Sequence, residues 1–148
     1  MGQIASDPAR DYLNSVLEAR MEAKRLQHKV AQLEAQATKT TTIITGMPRG
    51  GNADRDAVLA ALADVTSDYS EKIVKAERLE KEVNEFIDSL PTRDCRMLLR
   101  LRYLEGMSWR KVLSTLKAHG IHLSERQMYR LHGTALNEAR EGYVNERL

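Results

Sequence analysis

The chain has 148 residues, of which 42% are hydrophobic and 30% charged, and this length suits one folded domain or two small ones. The composition is too apolar for a disordered chain and too polar for a membrane protein, and no apolar run approaches the ~20 residues that cross a bilayer. The first ten residues lack the apolar core of a signal peptide, and the single cysteine, Cys95, cannot form an internal disulfide. We therefore expect a cytoplasmic protein that does not engage a membrane.

Positive charge is concentrated in the C-terminal third. Residues 91–148 contain eleven Lys and Arg against six acidic residues, a net charge of +5, whereas residues 1–90 contain twelve against fifteen, a net charge of −3. Nine of the eleven C-terminal cations are Arg, whose guanidinium pairs with phosphates and guanine edges better than an ammonium does. This asymmetry indicates a polyanionic partner for the C-terminal part of the chain.

The N-terminal part has the pattern of a long helix. Asp7 is a good N-cap and Pro8 suits the first helical turn. Apolar residues then recur at alternating steps of four and three, at Tyr12, Val16, Ala19, Ala23, Leu26, Val30, Leu33 and Ala37. This heptad seam predicts a helix over about 8–37. We expect the packing to be tightest at the larger side chains of Leu26, Val30 and Leu33.

A second long helix is predicted after a loop. Residues 38–53 are rich in Thr, Gly and Pro, which disfavour helix and predict the loop. The second helix is expected over 54–90, with its apolar seam at Leu62, Val65, Tyr69, Ile73, Ala76, Leu79, Val83, Phe86 and Leu90. Two long helices joined in this way predict an antiparallel helical hairpin (coiled coil) over 1–90 that makes a protein contact, either as a homodimer or with another partner.

Three shorter helices are predicted in residues 91–148. Each begins at a capping hydroxyl, namely Thr92, Ser108 and Ser124, and Gly106 and Gly120 end the first two. The side chains predicted to face inward are Met97, Leu98, Leu101 and Leu104 in the third helix, Trp109, Val112, Leu113 and Leu116 in the fourth, and Met128, Leu131, Ala135 and Leu136 in the fifth. The chain is thus predicted to be all-α, a long hairpin followed by a three-helix helix-turn-helix domain.

The fifth helix has the features of a DNA recognition helix. With Met128 and Leu131 inward, the side chains expected to face outward in its first turns are Glu125, Arg126, Gln127, Tyr129, Arg130 and His132. Arg pairs with guanine O6 and N7, and Gln with adenine N6 and N7, in the major groove. Arg100 and Arg110 are predicted to contact phosphates. These residues predict sequence-specific binding of double-stranded DNA.

Two stretches resemble known families. Residues 98–109, LLRLRYLEGMSW, together with residues 124–132, SERQMYRLH, resemble region 4 of bacterial sigma factors. Residues 38–56, with the tip GMPRGG, are similar to the loop of RinA/ArpU-like phage transcriptional regulators. The resemblance implies a phage or prophage activator of late genes that acts with bacterial RNA polymerase. Sigma-like domains have a shorter turn before the capping Ser, so we expect the fourth helix to continue one turn beyond Leu116.

Other functions are less consistent with the sequence. A DNA-packaging adaptor of small-terminase type also combines a helix-turn-helix with long helices, although its DNA-binding part usually comes first, and a purely structural coiled coil would have no affinity for DNA. Cys95, His119 and His122 lack the fourth ligand of a structural zinc site. A thiol catalyst at Cys95 would need an orienting third group and a cleft. We therefore expect no metal, no cofactor and no enzymatic activity.

Overall fold

A computed structural model describes the backbone of residues 7–44 and 51–147 and the side chains of residues 7–39 and 53–146. Its elements are α1 (Pro8–Ile44), α2 (Gly51–Asp88), α3 (Arg93–Leu99), a π-helical turn (Arg100–Leu104), α4 (Trp109–Ala118) and α5 (Glu125–Arg147). The predicted all-α class is confirmed, since the described residues contain no β-strand. None of the helices in this part of the chain combines the length and hydropathy needed to cross a bilayer.

The two long helices extend further into the predicted loop than expected. α1 continues to Ile44 and α2 already begins at Gly51, so both ends of the segment 38–53 are helical and the loop prediction is wrong there. At Thr38 the hydroxyl donates to the Glu34 carbonyl over 3.0 Å, which satisfies a side chain that otherwise disfavours helix. The rest of the predicted tip, residues 45–50, lies outside the described residues.

The chain forms two compact units. The first combines the start of α1, as far as Glu18, with the chain from Arg78 onward. The second, Ala19–Glu77, contains the remainder of α1 and α2. The boundary predicted at residue 90 therefore falls inside the first unit, which takes residues from both sides of it.

The core of the first unit depends on its N-terminal segments. Of the eighteen residues in this core cluster whose side chains are described, seven precede residue 91, namely Ala9, Leu13, Val16, Val83, Phe86, Ile87 and Leu90. The Tyr12 ring lies 5.5 Å from the Phe86 ring and 5.6 Å from the Tyr143 ring, so the start of α1 packs against the ends of both α2 and α5. Nearby, the Arg140 guanidinium pairs with the Asp7 carboxylate over 2.8 Å.

The predicted apolar seams of α1 and α2 are confirmed, because each of their residues is buried or half-buried. The tightest packing, however, was placed wrongly. Leu13 and Val16 are fully buried in the core of the first unit, whereas Val30 and Leu33, in the second unit, are only half-buried. Leu26 is buried as expected, and the Lys72 ammonium lies 3.5 Å from a Glu22 carboxylate oxygen within the second unit.

A π-helical turn alters the apolar face that follows α3. The Glu105 N–H donates to the Arg100 carbonyl over 2.9 Å, which is the i→i−5 bond of this turn. The wider turn buries two apolar pairs, first Leu98 and Leu99, then Tyr103 and Leu104. The second pair follows the first by five residues, which is the period of the π-helical turn. The predicted stripe of Met97, Leu98, Leu101 and Leu104 is confirmed, since each side chain is buried or packs half-buried against the core. It assumed α-helical spacing, however, and therefore omitted the buried residues Leu99 and Tyr103.

The end of α4 is set by a glycine in the left-handed region. Gly120 has φ +86°, and its N–H donates to the Lys117 carbonyl over 3.0 Å, while the Ile121 N–H donates to the Leu116 carbonyl over 2.9 Å. This is a Schellman motif, which stops a helix and satisfies its last carbonyls. Gly120 closes α4 as predicted, but α4 ends at Ala118, so the expected extra turn beyond Leu116 is wrong.

The three predicted capping residues behave differently. Ser108 caps α4, since its hydroxyl accepts from the Lys111 N–H over 3.3 Å. Thr92 precedes α3 but makes no side-chain cap, because its hydroxyl donates to the Glu138 carboxylate of α5 over 2.5 Å. The same carboxylate accepts the Thr92 N–H over 3.2 Å, which ties the start of α3 to α5.

Candidate nucleic-acid interface

The first half of α5 is amphipathic in the predicted sense. Met128, Ala135 and Leu136 are buried and Leu131 is half-buried, which confirms the predicted inward set. On the opposite side, the exposed residues Glu125, Arg126, Tyr129 and Arg130 line one shallow depression of the surface. Four of the predicted contact residues are therefore brought together on one face.

Cations dominate the surface of the segment from Ser108 to His132. It contains five basic residues and a single acidic one, Glu125; the basic residues are Arg110, Lys111, Lys117, Arg126 and Arg130. All five are exposed, and within the described part of the chain none of them forms an ion pair. Arg110 and Lys117 also border a groove along α4 that His122 and Leu123 close from the following turn. The segment presents uncompensated positive charge to solvent.

Arg100 has a different environment from these cations. Its Nε donates to the Asn84 side-chain oxygen over 3.0 Å, and its guanidinium pairs with the Asp88 carboxylate. The side chain is half-buried and joins the π-helical turn to the end of α2. A phosphate contact by Arg100, as predicted from the sequence, would have to compete with these intramolecular partners.

Gln127 caps the start of α5 together with Ser124. The Ser124 hydroxyl accepts from the Gln127 N–H over 3.1 Å, and the Gln127 side-chain oxygen accepts from the Ser124 N–H over 2.8 Å. This reciprocal pair is a capping box, and it confirms Ser124 as the cap. Bidentate pairing of Gln with adenine needs the same side-chain oxygen, so base reading and capping by Gln127 compete.

His132 does not face outward as expected. It is half-buried, and a hydrogen bond of 2.8 Å joins its Nε2 to the Tyr103 hydroxyl oxygen. Its ring lies 4.6 Å from the Trp109 ring. Burial, reinforced by the positive charges of Arg10 and Arg102, lowers the pKa of His132 to about 4. The imidazole is therefore neutral at physiological pH and supplies no charge for DNA.

Trp109 packs against the inner side of Tyr129, one of the exposed residues of α5. The Tyr129 ring lies edge-on to it at 5.4 Å, and the Arg102 guanidinium lies 4.4 Å from its ring centre. The Arg102 guanidinium also donates to the Met107 carbonyl over 2.9 Å. Tyr129 is consequently held on one side while it remains exposed on the other. Trp109 faces inward as predicted, whereas the contacts of Arg102 and Tyr103 were not predicted from the sequence.

Cys95 is buried, and burial together with the negative charge of Glu138 raises the pKa of its thiol to about 11. Such a thiol is protonated at neutral pH, and the thiolate is the nucleophilic form. No three His, Cys, Asp or Glu side chains within the described ranges lie close enough together to hold a metal ion.

Comparison of the chain with protein-family models, with curated proteins and with solved structures finds no match.

Proposed function

We propose that this protein is a sequence-specific regulator of transcription that binds double-stranded DNA through the first half of α5. The observation that carries the proposal is the pair Arg126 and Arg130, exposed and free of ion pairs among the described residues, on the side of α5 opposite buried Met128. A helix that is fixed to its domain by an apolar face, and that presents unpaired arginines on the opposite face, can enter the major groove.

The spacing of the two arginines sets what they can read. Residues four apart lie on one face of a helix, about 6 Å apart along its axis, which is roughly two base-pair steps of DNA. Each guanidinium can pair with the O6 and N7 atoms of a guanine, a contact worth about 1–3 kcal/mol of discrimination. Arg110 and Lys117 on α4 are placed to neutralise phosphates, which contributes affinity for any sequence.

Within this proposal α3, α4 and α5 form the helix-turn-helix domain, and α1 and α2 form an antiparallel hairpin. The contacts of Tyr12 with Phe86 and of Glu22 with Lys72 support the hairpin, because the residue further along α1 contacts the residue further back along α2. We assign homodimerisation to the hairpin. A dimer in solution agrees with this assignment, and a monomer agrees with a transcription factor whose hairpin engages another protein instead. A ring would favour a packaging adaptor of small-terminase type.

The partner we propose is bacterial RNA polymerase, because residues 98–109 and 124–132 resemble sigma region 4. The class we propose is a RinA/ArpU-like phage activator, because residues 38–56 are similar to the loop of that family. The chain has only seven aromatic residues, and Tyr129 is the only one of the seven with an exposed side chain, which leaves too few to stack on the bases of an opened strand. The protein should therefore assist a holoenzyme. Full-length transcripts from core polymerase and this protein alone would contradict that role.

DNA binding itself is tested by selection from random duplexes. The bound pool should become enriched in a motif with guanines about two base pairs apart, since Arg126 and Arg130 would read them. Affinity for the motif should fall with salt, with a slope of about −3 in log K against log salt concentration if three cations contact phosphate. A pool without enrichment, together with salt-independent binding, would refute the proposal.

A further inference from the structure

Gly133 has no structural reason to be glycine within the described chain. It lies in the interior of the 23-residue helix α5 and is exposed, and a Cβ added there would meet no atom within 4 Å. Gly142 in the same helix is the contrast, because its added Cβ would approach Leu90 to 3.1 Å and Phe86 to 3.4 Å. Packing thus accounts for Gly142 but leaves Gly133 unexplained.

Glycine at this position weakens the free protein. In an exposed helix interior glycine is the least favourable residue apart from proline, because it loses the most backbone freedom on folding. Alanine would fit at Gly133 without displacing a neighbour, and it would favour the helix. Among the described residues the missing side chain therefore brings no benefit, and we look for that benefit in a bound partner.

The position of Gly133 identifies that partner. It follows Arg126 by two helical turns, Tyr129 by four residues and Arg130 by three, so it continues the exposed face that these residues form. That face belongs to the segment from Ser108 to His132 with its five exposed cations and one acidic residue. The net positive charge of this segment is complementary to a polyanion. Because glycine has no Cβ, it allows a ligand to approach the backbone closely.

We propose that Gly133 is where bound double-stranded DNA comes closest to α5, in van der Waals contact with the helix backbone. The inference rests on the proposed function and adds to it a specific contact residue. A side chain at this position would hold the helix away from the groove, and the guanidinium groups of Arg126 and Arg130 would then lose their alignment with base edges. Helix stability and DNA affinity should thus respond to substitution in opposite directions.

The test compares Gly133→Ala and Gly133→Gln with the wild-type chain, using the duplex selected as described above. Without DNA, Gly133→Ala should raise the melting temperature by roughly 2–4 °C. It should nevertheless weaken binding by about tenfold, as expected for loss of one base contact, and the longer Gln should weaken it further. Asn145→Ala is the matched control. It also improves helix propensity at an exposed site, but it lies about 18 Å further along α5, so it should stabilise the protein and leave affinity unchanged.

The outcomes separate this inference from the proposed function. If the wild-type chain binds no duplex, the proposed function fails. If the wild type binds and Gly133→Ala binds equally well, only the closest-approach role of Gly133 is overturned. A lower melting temperature for Gly133→Ala would also overturn it, because the glycine would then serve the free protein.

Discussion

Leu13→Ala should destabilise the first unit, which contains α3, α4 and α5, although residue 13 lies far from these helices in sequence. Leu13 is 0% exposed and belongs to the same core cluster as Phe86, Leu98 and Met128. Truncating a fully buried Leu removes its transfer free energy and leaves a cavity, which together cost about 2–5 kcal/mol. That is a large part of the 5–15 kcal/mol by which a typical domain is stable.

Trp109 provides a local probe for this prediction. It is the only tryptophan and packs against the core of the first unit, so urea denaturation followed by its fluorescence reports on that unit. Leu13→Ala should lower the midpoint of this transition. Leu33→Ala is the matched control, since Leu33 is half-buried in the second unit and should shift the Trp109 transition far less. An unchanged midpoint for Leu13→Ala would refute the packing of α1 into this core.

Three further predictions follow from groups in the same unit. His132 has a pKa of about 4 in the folded chain against 6.5 when unfolded, so the unfolded state binds more protons between these two pH values. The contribution of His132 to stability should therefore be present above pH 6.5 and be lost as the pH falls towards 4. His132→Phe should remove this part of the pH dependence of the free energy of unfolding, measured by urea denaturation. Cys95, with its pKa near 11 and its thiol buried, should react slowly with iodoacetamide in native buffer and quickly in guanidinium; equal rates in both would show that the thiol is accessible. Gly120→Ala should cost about 1 kcal/mol or more in urea denaturation, because alanine is strained at φ +86°, and a variant as stable as the wild type would show that the turn had changed its conformation.

The sequence predicted those parts of the fold that depend on local periodicity. Heptad spacing identified both seams, and the Ser and Gly signals correctly marked the cap of α4 and the end of α4. The π-helical turn was missed because the pattern was read with one fixed helical period. The burial of Leu13 was also missed. Leu13 is buried because residues of α2 and α5 pack with the start of α1 in one core, and a local sequence pattern does not show such tertiary packing.

The site shows the same division between local and tertiary information. Exposure of Arg126 and Arg130 follows from the helical period around Met128 and was predicted. The partners of Arg100 and His132 come from other helices and could not be inferred from their neighbours in sequence. The role of Gln127 was readable, because Ser124-Glu125-Arg126-Gln127 has the spacing of a capping box, but it was interpreted only as a base contact.

The most direct test of DNA reading by α5 is the affinity of Arg130→Ala for the selected duplex and for a scrambled duplex of the same composition. Arg78→Ala is the control, since Arg78 is also an exposed arginine of the first unit but lies on α2. We predict that Arg130→Ala loses about 1–3 kcal/mol on the selected duplex and much less on the scrambled one, while Arg78→Ala changes neither. Unchanged affinity of Arg130→Ala for both duplexes, or an equal loss from Arg78→Ala, would contradict recognition through this face.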